Sequence, residues 1–424
     1  MSHIIIIGGG ASGLMAALSA ARAAAADSSV TLLERQARVG RKLAASGNGR
    51  CNLSNQNALP PQLQLHYHGI EPDFCRPALS AFGPRATLEF LAGLGLLTAT
   101  EADGRVYPFS DTANSVCDVL RLSLEQDGSR LVCGAEAVSA RREPASGDFV
   151  VQARLQEEGR VREQVYRGQR LIVACGGLAG ARLGGCGDGY RLLQGFGHQR
   201  SPLYPALTQI KTDNRLVRPL KGVRAAAALT LLDGEQKPLV HSQGEVQFTD
   251  FGVSGPAAFE LSRAVSCRPG QELSLRLDLL PQLSREELLQ HLCRRRQAFP
   301  RLTADHLLTG SLHNRLGLVL CRQAGLEPGQ PLDRLSREQL ARLCALVKAW
   351  GLPVGGVLGF EAAQVTAGGV LTRDFDPQTL ESRLAPGLYA CGEVLDIDGD
   401  CGGYNLQWAW SSGYLAGRAA ASRG

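Results

Sequence analysis

Three glycines spaced Gly8-x-Gly10-x-x-Gly13 follow the apolar run His3–Ile7 and open an alanine-rich stretch, Leu14–Ala26. Each glycine meets a separate demand of phosphate binding. Gly8 permits a tight turn, Gly10 lets the backbone approach a pyrophosphate, and Gly13 lets a helix sit close on the preceding strand. N–H groups at the helix start, around Ala11 and Ser12, then face the phosphate charge. A second strand, residues 30 to 33, ends in Glu34, followed by Arg35. The Glu34 carboxylate suits the hydroxyls of a ribose without a 2′-phosphate. This order of strand, turn, helix, strand and acid is a complete dinucleotide-binding unit.

The unit alone does not separate NAD from FAD. The loop "VGRKLAASGNGRCNLSN", residues 39 to 55, favours FAD, because its small and polar residues let backbone run beside an extended ligand. Arg41 and Lys42 are expected to offset pyrophosphate charge, and Ser46, Gly47, Arg50, Cys51 and Asn52 to continue along the cofactor. A second glycine-rich helix start lies at the other end of the chain, in "CGGYNLQWAWSSG", residues 401 to 413. A nicotinamide cofactor needs one helix start for its pyrophosphate. FAD can use another at its ring, where the helix dipole stabilises negative charge on reduced flavin. Gly402, Gly403, Tyr404, Asn405, Leu406 and Gln407 are expected there, on a helix over residues 402 to 418.

Elements between these ends must bring them together. At 424 residues the chain exceeds one ordinary core, so two or three domains are expected. Residues 56 to 130 read as helices joined by irregular segments, with Ser110 or Asp111 capping a helix through Leu124. Strand-like runs follow in "RLVCGAEAVSARRE", "FVVQARLQ" and "VYRGQRLIVACGG". The first would set Val138 beside an adenine ring; the last brings Ala174, Gly176 and Gly177 to a strand end. Residues 184 to 198 open a helix with Asp188 near its start. Residues 199 to 280 hold strands such as "RAAAALTLL" and "GEVQFT", as in a small antiparallel sheet or barrel. Two Ser-x-x-Glu/Gln boxes, at Ser284 and Ser336, start helices in a helical segment from about 282 to 350. The doubly wound pattern resumes in "GLYACGEVLD", whose strand leads to Gly392 and Glu393. The expected domains are 1–197 with 361–424 for the cofactor, and 198–360 inserted. In that insertion, 198–280 and 351–360 form the barrel-like part.

Composition narrows the classes. Hydrophobic residues make up 44% and charged ones 20%, as in a globular protein. The formal net charge of +5 has no block beyond Arg294–Arg296, so charge balance by itself argues against nucleic acid as a partner. Twelve cysteines without a C-x-x-C pair suit scattered thiols in a reducing cytoplasm. No apolar run is long enough for a membrane span, and the N-terminus lacks the basic region of a signal peptide. Asp396, Asp398 and Asp400 alternate like a calcium loop, but Cys401 and Gln407 stand where that loop needs Gly and Glu, so no metal is expected.

The segments "GRKLAASGNGRCNLSN", "GVSGPAAFELS", "VTAGGV" and "GEVLDIDGDCGGYNLQWAWSSG" resemble, in this order over the whole chain, the BaiN/YhiN-like flavoproteins. That family of NAD(P)/FAD-dependent oxidoreductases also goes by the name of aminoacetone-oxidase-like FAD-binding enzymes. The resemblance implies an α/β fold, with a Rossmann-like FAD domain built from both chain ends and an inserted domain with β-barrel-like and helical parts. Thr249-Asp250 stands where members often have Thr-His, and Ala174-Cys175 where Ala-Thr is usual. Cys391 and Cys401 are unusual neighbours of a flavin, and buried packing is expected of them rather than redox work.

The expected activity is hydride transfer between flavin N5 and a small organic substrate, with non-covalent FAD. Tyr404, Asn405 and Asp250 are the candidate catalytic residues. Asp250 is expected to reach the ring from the insertion, whose links after Gly197 and near Gly359 lie close to strand ends. No second G-x-G-x-x-G is present, so NAD(P)H would bind transiently as reductant. Two rivals stay open: a flavin-dependent RNA-modifying enzyme, prompted by the arginine excess, and a flavin-binding redox sensor without catalysis.

Overall fold

Four consecutive isoleucines form the centre of a parallel sheet, where strands covered on both faces need unbroken apolar runs. The computed structural model describes residues 2–25, 28–157 and 159–422. Strand β1 (His3–Ile7) lies between β2 (Ser29–Glu34) and a later strand, and the sheet is completed by β3 (Arg130–Cys133), β4 (Arg170–Val173) and β5 (Leu388–Ala390). The order is β5-β4-β1-β2-β3, all parallel, so a strand from the far C-terminal part closes one edge. Ile4, Ile5 and Ile6 are wholly buried.

Helix α1 (Ala11–Ala23) begins three residues earlier than expected, because Gly10 already serves as its N-cap. Ala26, its expected end, lies outside the described residues. Helix α2 (Tyr404–Ser422) starts only after Gly403 and runs beyond residue 418. These two helices pack through glycines. A Cβ on Gly413 would lie 2.3 Å from the Ser12 carbonyl oxygen, and one on Gly417 would lie 2.3 Å from that of Ala16. Contacts that advance together along both chains mean that the helices run parallel. Ser19 adds a bond from its hydroxyl to the Tyr414 carbonyl, 2.7 Å.

The run 130–143 divides at Gly134, whose φ of 71° turns the chain out of the parallel sheet. Ala135–Arg142 then joins an antiparallel sheet with Phe149–Glu157 and Arg160–Gly168. The helix over Ala113–Gln126 is preceded by Thr112, with no side-chain cap, rather than by Ser110 or Asp111. Asp111 is drawn away by Arg50, whose Nε lies 2.5 Å from its carboxylate. Short strands also occur at Tyr67–His68, Thr98–Thr100 and Arg105–Pro108, within a stretch read as helical and irregular.

The chain forms two compact units, one of residues 1–204 with 364–424 and the other of 205–363. Residues 198–204 stay with the first because His198 bonds Ser382 and Ser201 bonds Gly369. The second unit holds a closed six-stranded barrel whose strands include Arg224–Asp233 and Pro238–Phe248, closed by Trp350–Val357. Helices Arg285–Ala298 and Arg337–Lys348 each begin with a complete capping box, at Ser284/Glu287 and Ser336/Gln339. This unit has its own core, from Leu229 and Phe248 to Leu340 and Trp350. Among the described residues no helix is long and apolar enough to cross a membrane.

Candidate cofactor and active site

The glycines after β1 divide their work by what surrounds them. A Cβ on Gly8 would meet the Ala174 carbonyl oxygen at 2.4 Å, and one on Gly13 would meet that of Gly8 at 1.8 Å. Both are packing positions where strand, turn and helix touch. Gly10 has nothing within 4 Å of its missing Cβ, so the start of α1 opens onto free space. The first N–H groups of a helix have no partner within it, and Gly10 offers no side-chain cap. Gly176, beyond the end of β4, also faces open space. Gly177 is closed in by Thr366 and Glu393. Backbone donors thus line an open cradle at the strand ends, a shape and polarity that fit a pyrophosphate.

Glu34 ends β2 with one carboxylate oxygen 2.7 Å from the Gly9 N–H and the other 2.7 Å from the Gln36 N–H. The acid is thereby fixed beside the glycine turn. Val138 sits at a register break between the strands 135–142 and 149–157, and its carbonyl accepts from Arg191. Arg35 turns to Asp188 at 3.3 Å.

Several expected contacts resolve differently. Arg41 donates to Gln36 and to the Arg182 carbonyl, and Lys42 pairs with Glu393 at 2.8 Å. A nearby carboxylate therefore already neutralises the lysine expected at phosphate. Arg50 is held by Asp111 and Glu101 and lies over the Tyr107 ring, so opposite charge draws it to that hairpin. Gln407 is wholly buried, and its amide bonds Ser54, Phe82, Thr87 and Ser411. It ties α2 to its neighbours rather than facing a ligand. Ser46 bonds the Leu43 carbonyl, while Leu406 is half-buried on α2.

At the start of α2, the Asn52 side chain accepts from the Gly403 N–H at 3.3 Å and donates to the Ser54 carbonyl. Asn55 donates to the Gly402 carbonyl, 2.9 Å. In the same loop Gly47, Asn48 and Cys51 hold φ of 57°, 57° and 61°. Left-handed backbone at a non-glycine residue is uncommon, and such residues recur at functional sites. Ser12 lies against Gly392, whose N–H donates to Ser412.

Asn405 clasps the preceding loop, accepting from the Gly399 N–H and donating to the carbonyls of Gly399 and Asp400. Tyr404 is buried, and its ring stacks on His66 with centroids 4.3 Å apart. Asp250 belongs to the other unit, in a surface turn where it pairs with Lys221 at 2.6 Å. Burial pushes the Cys391 thiol up to about 12, so it stays protonated at neutral pH and is a poor redox nucleophile. Cys401 is half-buried.

The sequence motifs miss one constellation. His66 Nδ1 lies 3.0 Å from one oxygen of Asp400, and His68 Nε2 lies 2.7 Å from the other. Desolvation raises the Asp400 carboxyl, but the bonds from the two imidazoles outweigh it and hold the group below its ordinary value. A signal for it exists in the chain, two histidines two residues apart, here where a short helix passes into a strand. The alternating acids around Asp400 point to calcium instead, and so away from its histidine partners.

Comparison with known proteins agrees with this fold. Residues 2–419 match the family described as HI0933-like protein Rossmann domain. The 3-dehydro-bile acid delta(4,6)-reductase of Clostridium scindens is 40% identical over 399 residues, 94% of each chain. The ribosomal RNA dihydrouridine synthase of Haemophilus influenzae is 30% identical over 390 residues, 91% of each. The structure of 3-ketosteroid-delta4-(5alpha)-dehydrogenase from Rhodococcus jostii, in complex with 4-androstene-3,17-dione, superimposes with a TM-score of 0.51 at 16% identity. It covers 99% of this chain and 97% of that one, and shows the fold alone. The chain belongs to the HI0933-like family, the BaiN/YhiN-type flavoprotein oxidoreductases that its motifs resemble.

Proposed function

We propose that the protein is an FAD-dependent reductase that saturates a carbon–carbon double bond conjugated to a carbonyl in a small, largely apolar molecule. The parallel packing of α1 and α2 carries this reading. With Gly413 against Ser12 and Gly417 against Ala16, the start of α2 lies about 12 Å behind that of α1 along their common direction. Two helix N-termini aimed the same way and offset by that distance suit the two ends of one extended anionic ligand. When bound, FAD supplies the hydride carrier. The cradle at Gly10 and Gly176 would hold its pyrophosphate, Glu34 its ribose, and the loop 47–52 with Gly402 and Gly403 its ring. The positive end of α2 favours the anionic reduced form of the ring.

The substrate class follows from the relatives. A delta(4,6)-reductase of a 3-oxo compound and a dihydrouridine synthase perform one chemical act, reduction of an alkene polarised by a carbonyl. The more similar of the two acts on a small molecule. A nicotinamide donor is the proposed reductant, and the cytoplasm, where twelve free thiols stay reduced, the proposed compartment. RNA as substrate is the second reading. It is favoured by charge placement, since residues 205–363 hold 20 Lys and Arg against 15 Asp and Glu, while the remainder balances.

Purified protein is expected to be yellow and to release FAD on denaturation. Under anaerobic conditions NADH or NADPH should bleach it, and a 3-oxo-Δ4 steroid should restore the colour. Protein that takes up no FAD, or reduced protein that no conjugated ketone reoxidises, overturns the proposal. Reoxidation by ribosomal RNA, with binding that weakens steeply with salt, would install the second reading.

A further inference from the structure

The segment His66–His68 meets the loop before α2 as a two-residue antiparallel pair, Tyr67 opposite Gly399 and His68 opposite Asp398. The Asp400 N–H donates to the His66 carbonyl at 2.9 Å, which locks backbone as well as side chains. Both imidazoles then bond the same carboxylate, and the His66 ring lies flat on Tyr404, the first residue of α2. A carboxylate only accepts, so His66 presents Nδ1–H and His68 Nε2–H to Asp400. His66 Nε2 and His68 Nδ1 have no hydrogen-bond partner among the described residues. All three side chains keep partial exposure, between 22% and 31%. Among the described residues no group of three His, Cys, Asp or Glu is arranged to hold a metal ion, so metal binding does not account for the trio.

We propose that His66, oriented by Asp400 and backed by His68, delivers the proton that completes the reduction. This rests on the reaction proposed above. Hydride from reduced FAD forms a C–H bond at the carbon β to the carbonyl, and the alkene π pair moves into an enolate. The His66 Nε2–H bond of the imidazolium breaks, and its proton forms the second C–H bond at the α carbon. Substrate gains two electrons and FAD loses them; neutral His66 recovers its Nε2 proton directly from solvent, to which the side chain is partly exposed. The Tyr67 phenol and the buried thiols of the same unit are poor donors. The Tyr67 hydroxyl is buried and given to the Tyr404 carbonyl, and burial pushes it well above its ordinary acidity range. Cys391 and Cys51 are held as thiols by burial. Asp400 is here a positioning residue, acting through His66.

The test separates the two half-reactions of the full-length flavoprotein. His66→Gln should leave flavin reduction by NAD(P)H within about twofold and slow reoxidation by a conjugated ketone about 100-fold or more, the scale of general acid catalysis. Asp400→Asn should slow the same half-reaction, and Asp400→Glu should recover part of it. Independently of turnover, ¹⁵N spectra of histidine-labelled protein should show His66 protonated at Nδ1 in its neutral form, with that signature lost in Asp400→Asn. A neutral His66 with its proton at Nε2 overturns the proposal. So does an undiminished reoxidation rate in His66→Gln, or an equal loss in both half-reactions. Wild-type protein that oxidises with no conjugated ketone overturns the reaction, and His66 as its proton donor with it.

Discussion

Cys51, Cys75 and Cys391 are buried thiols, each pushed by desolvation from an ordinary value of 9.0 up to about 12. In the unfolded chain they ionise near 9, so folding keeps protons that the unfolded state releases. Their contribution is fully present below pH 9 and is lost as pH rises towards 12. Each thiol should steepen the alkaline loss of stability by up to about 1.4 kcal/mol per pH unit in that window. Urea unfolding of wild type and Cys391→Ala at pH 8 and pH 10 reads this directly. The variant should lose about 1.4 kcal/mol less between the two values. Equal pH slopes would mean that solvent reaches Cys391 in the folded state. The same protonated thiol leaves no thiolate for flavin-coupled redox chemistry.

Among elements, the α1–α2 contact matters most for the candidate site, because it sets the spacing of the two helix starts. Gly413 has no room for a methyl group, since the obstacle is the Ser12 carbonyl of α1 rather than a movable side chain. Gly413→Ala should therefore push the helices apart and cost about 1–3 kcal/mol, the usual scale of overpacking. FAD retention should fall with it, as the two helix starts shift relative to each other. The pair of measurements is urea unfolding and flavin release at matched temperature. A variant as stable as wild type would show that α2 has slack against α1, and would weaken the case for a fixed cofactor span.

Across the full chain, the two units differ in how the backbone builds them. Residues 205–363 are continuous, closed as a barrel and provided with their own core. Expressed alone, this segment should unfold cooperatively on heating, with β-type circular dichroism before the transition. The other unit draws β5 and α2 from beyond residue 363, and both sit in its central core. A chain ending at Ala363 should therefore lose the cofactor unit while keeping the barrel transition. Calorimetry of the truncated chain checks this; two retained transitions would contradict the architecture.

Local physics makes much of this fold legible in the amino-acid order alone. The glycine spacing, the isoleucine run and Glu34 set the nucleotide-binding unit, because turn, strand and helix start lie within one short stretch of chain. Ser284 and Ser336 set their helix starts for the same reason, the capping partner being three residues away. Long side chains are not legible in that way. Arg50, Lys42 and Gln407 choose among partners that only folding brings near, and Asp111, Glu393 and Ser54 claim them. The trio of His66, His68 and Asp400 is the strongest case, since the acid lies more than 330 residues from either histidine and reaches them only through the Tyr67–Gly399 pairing. The order of residues settles what each segment can offer. The folded arrangement selects which offers meet, because charge and hydrogen-bond energies fall off over a few ångströms while the chain ranges over hundreds of residues.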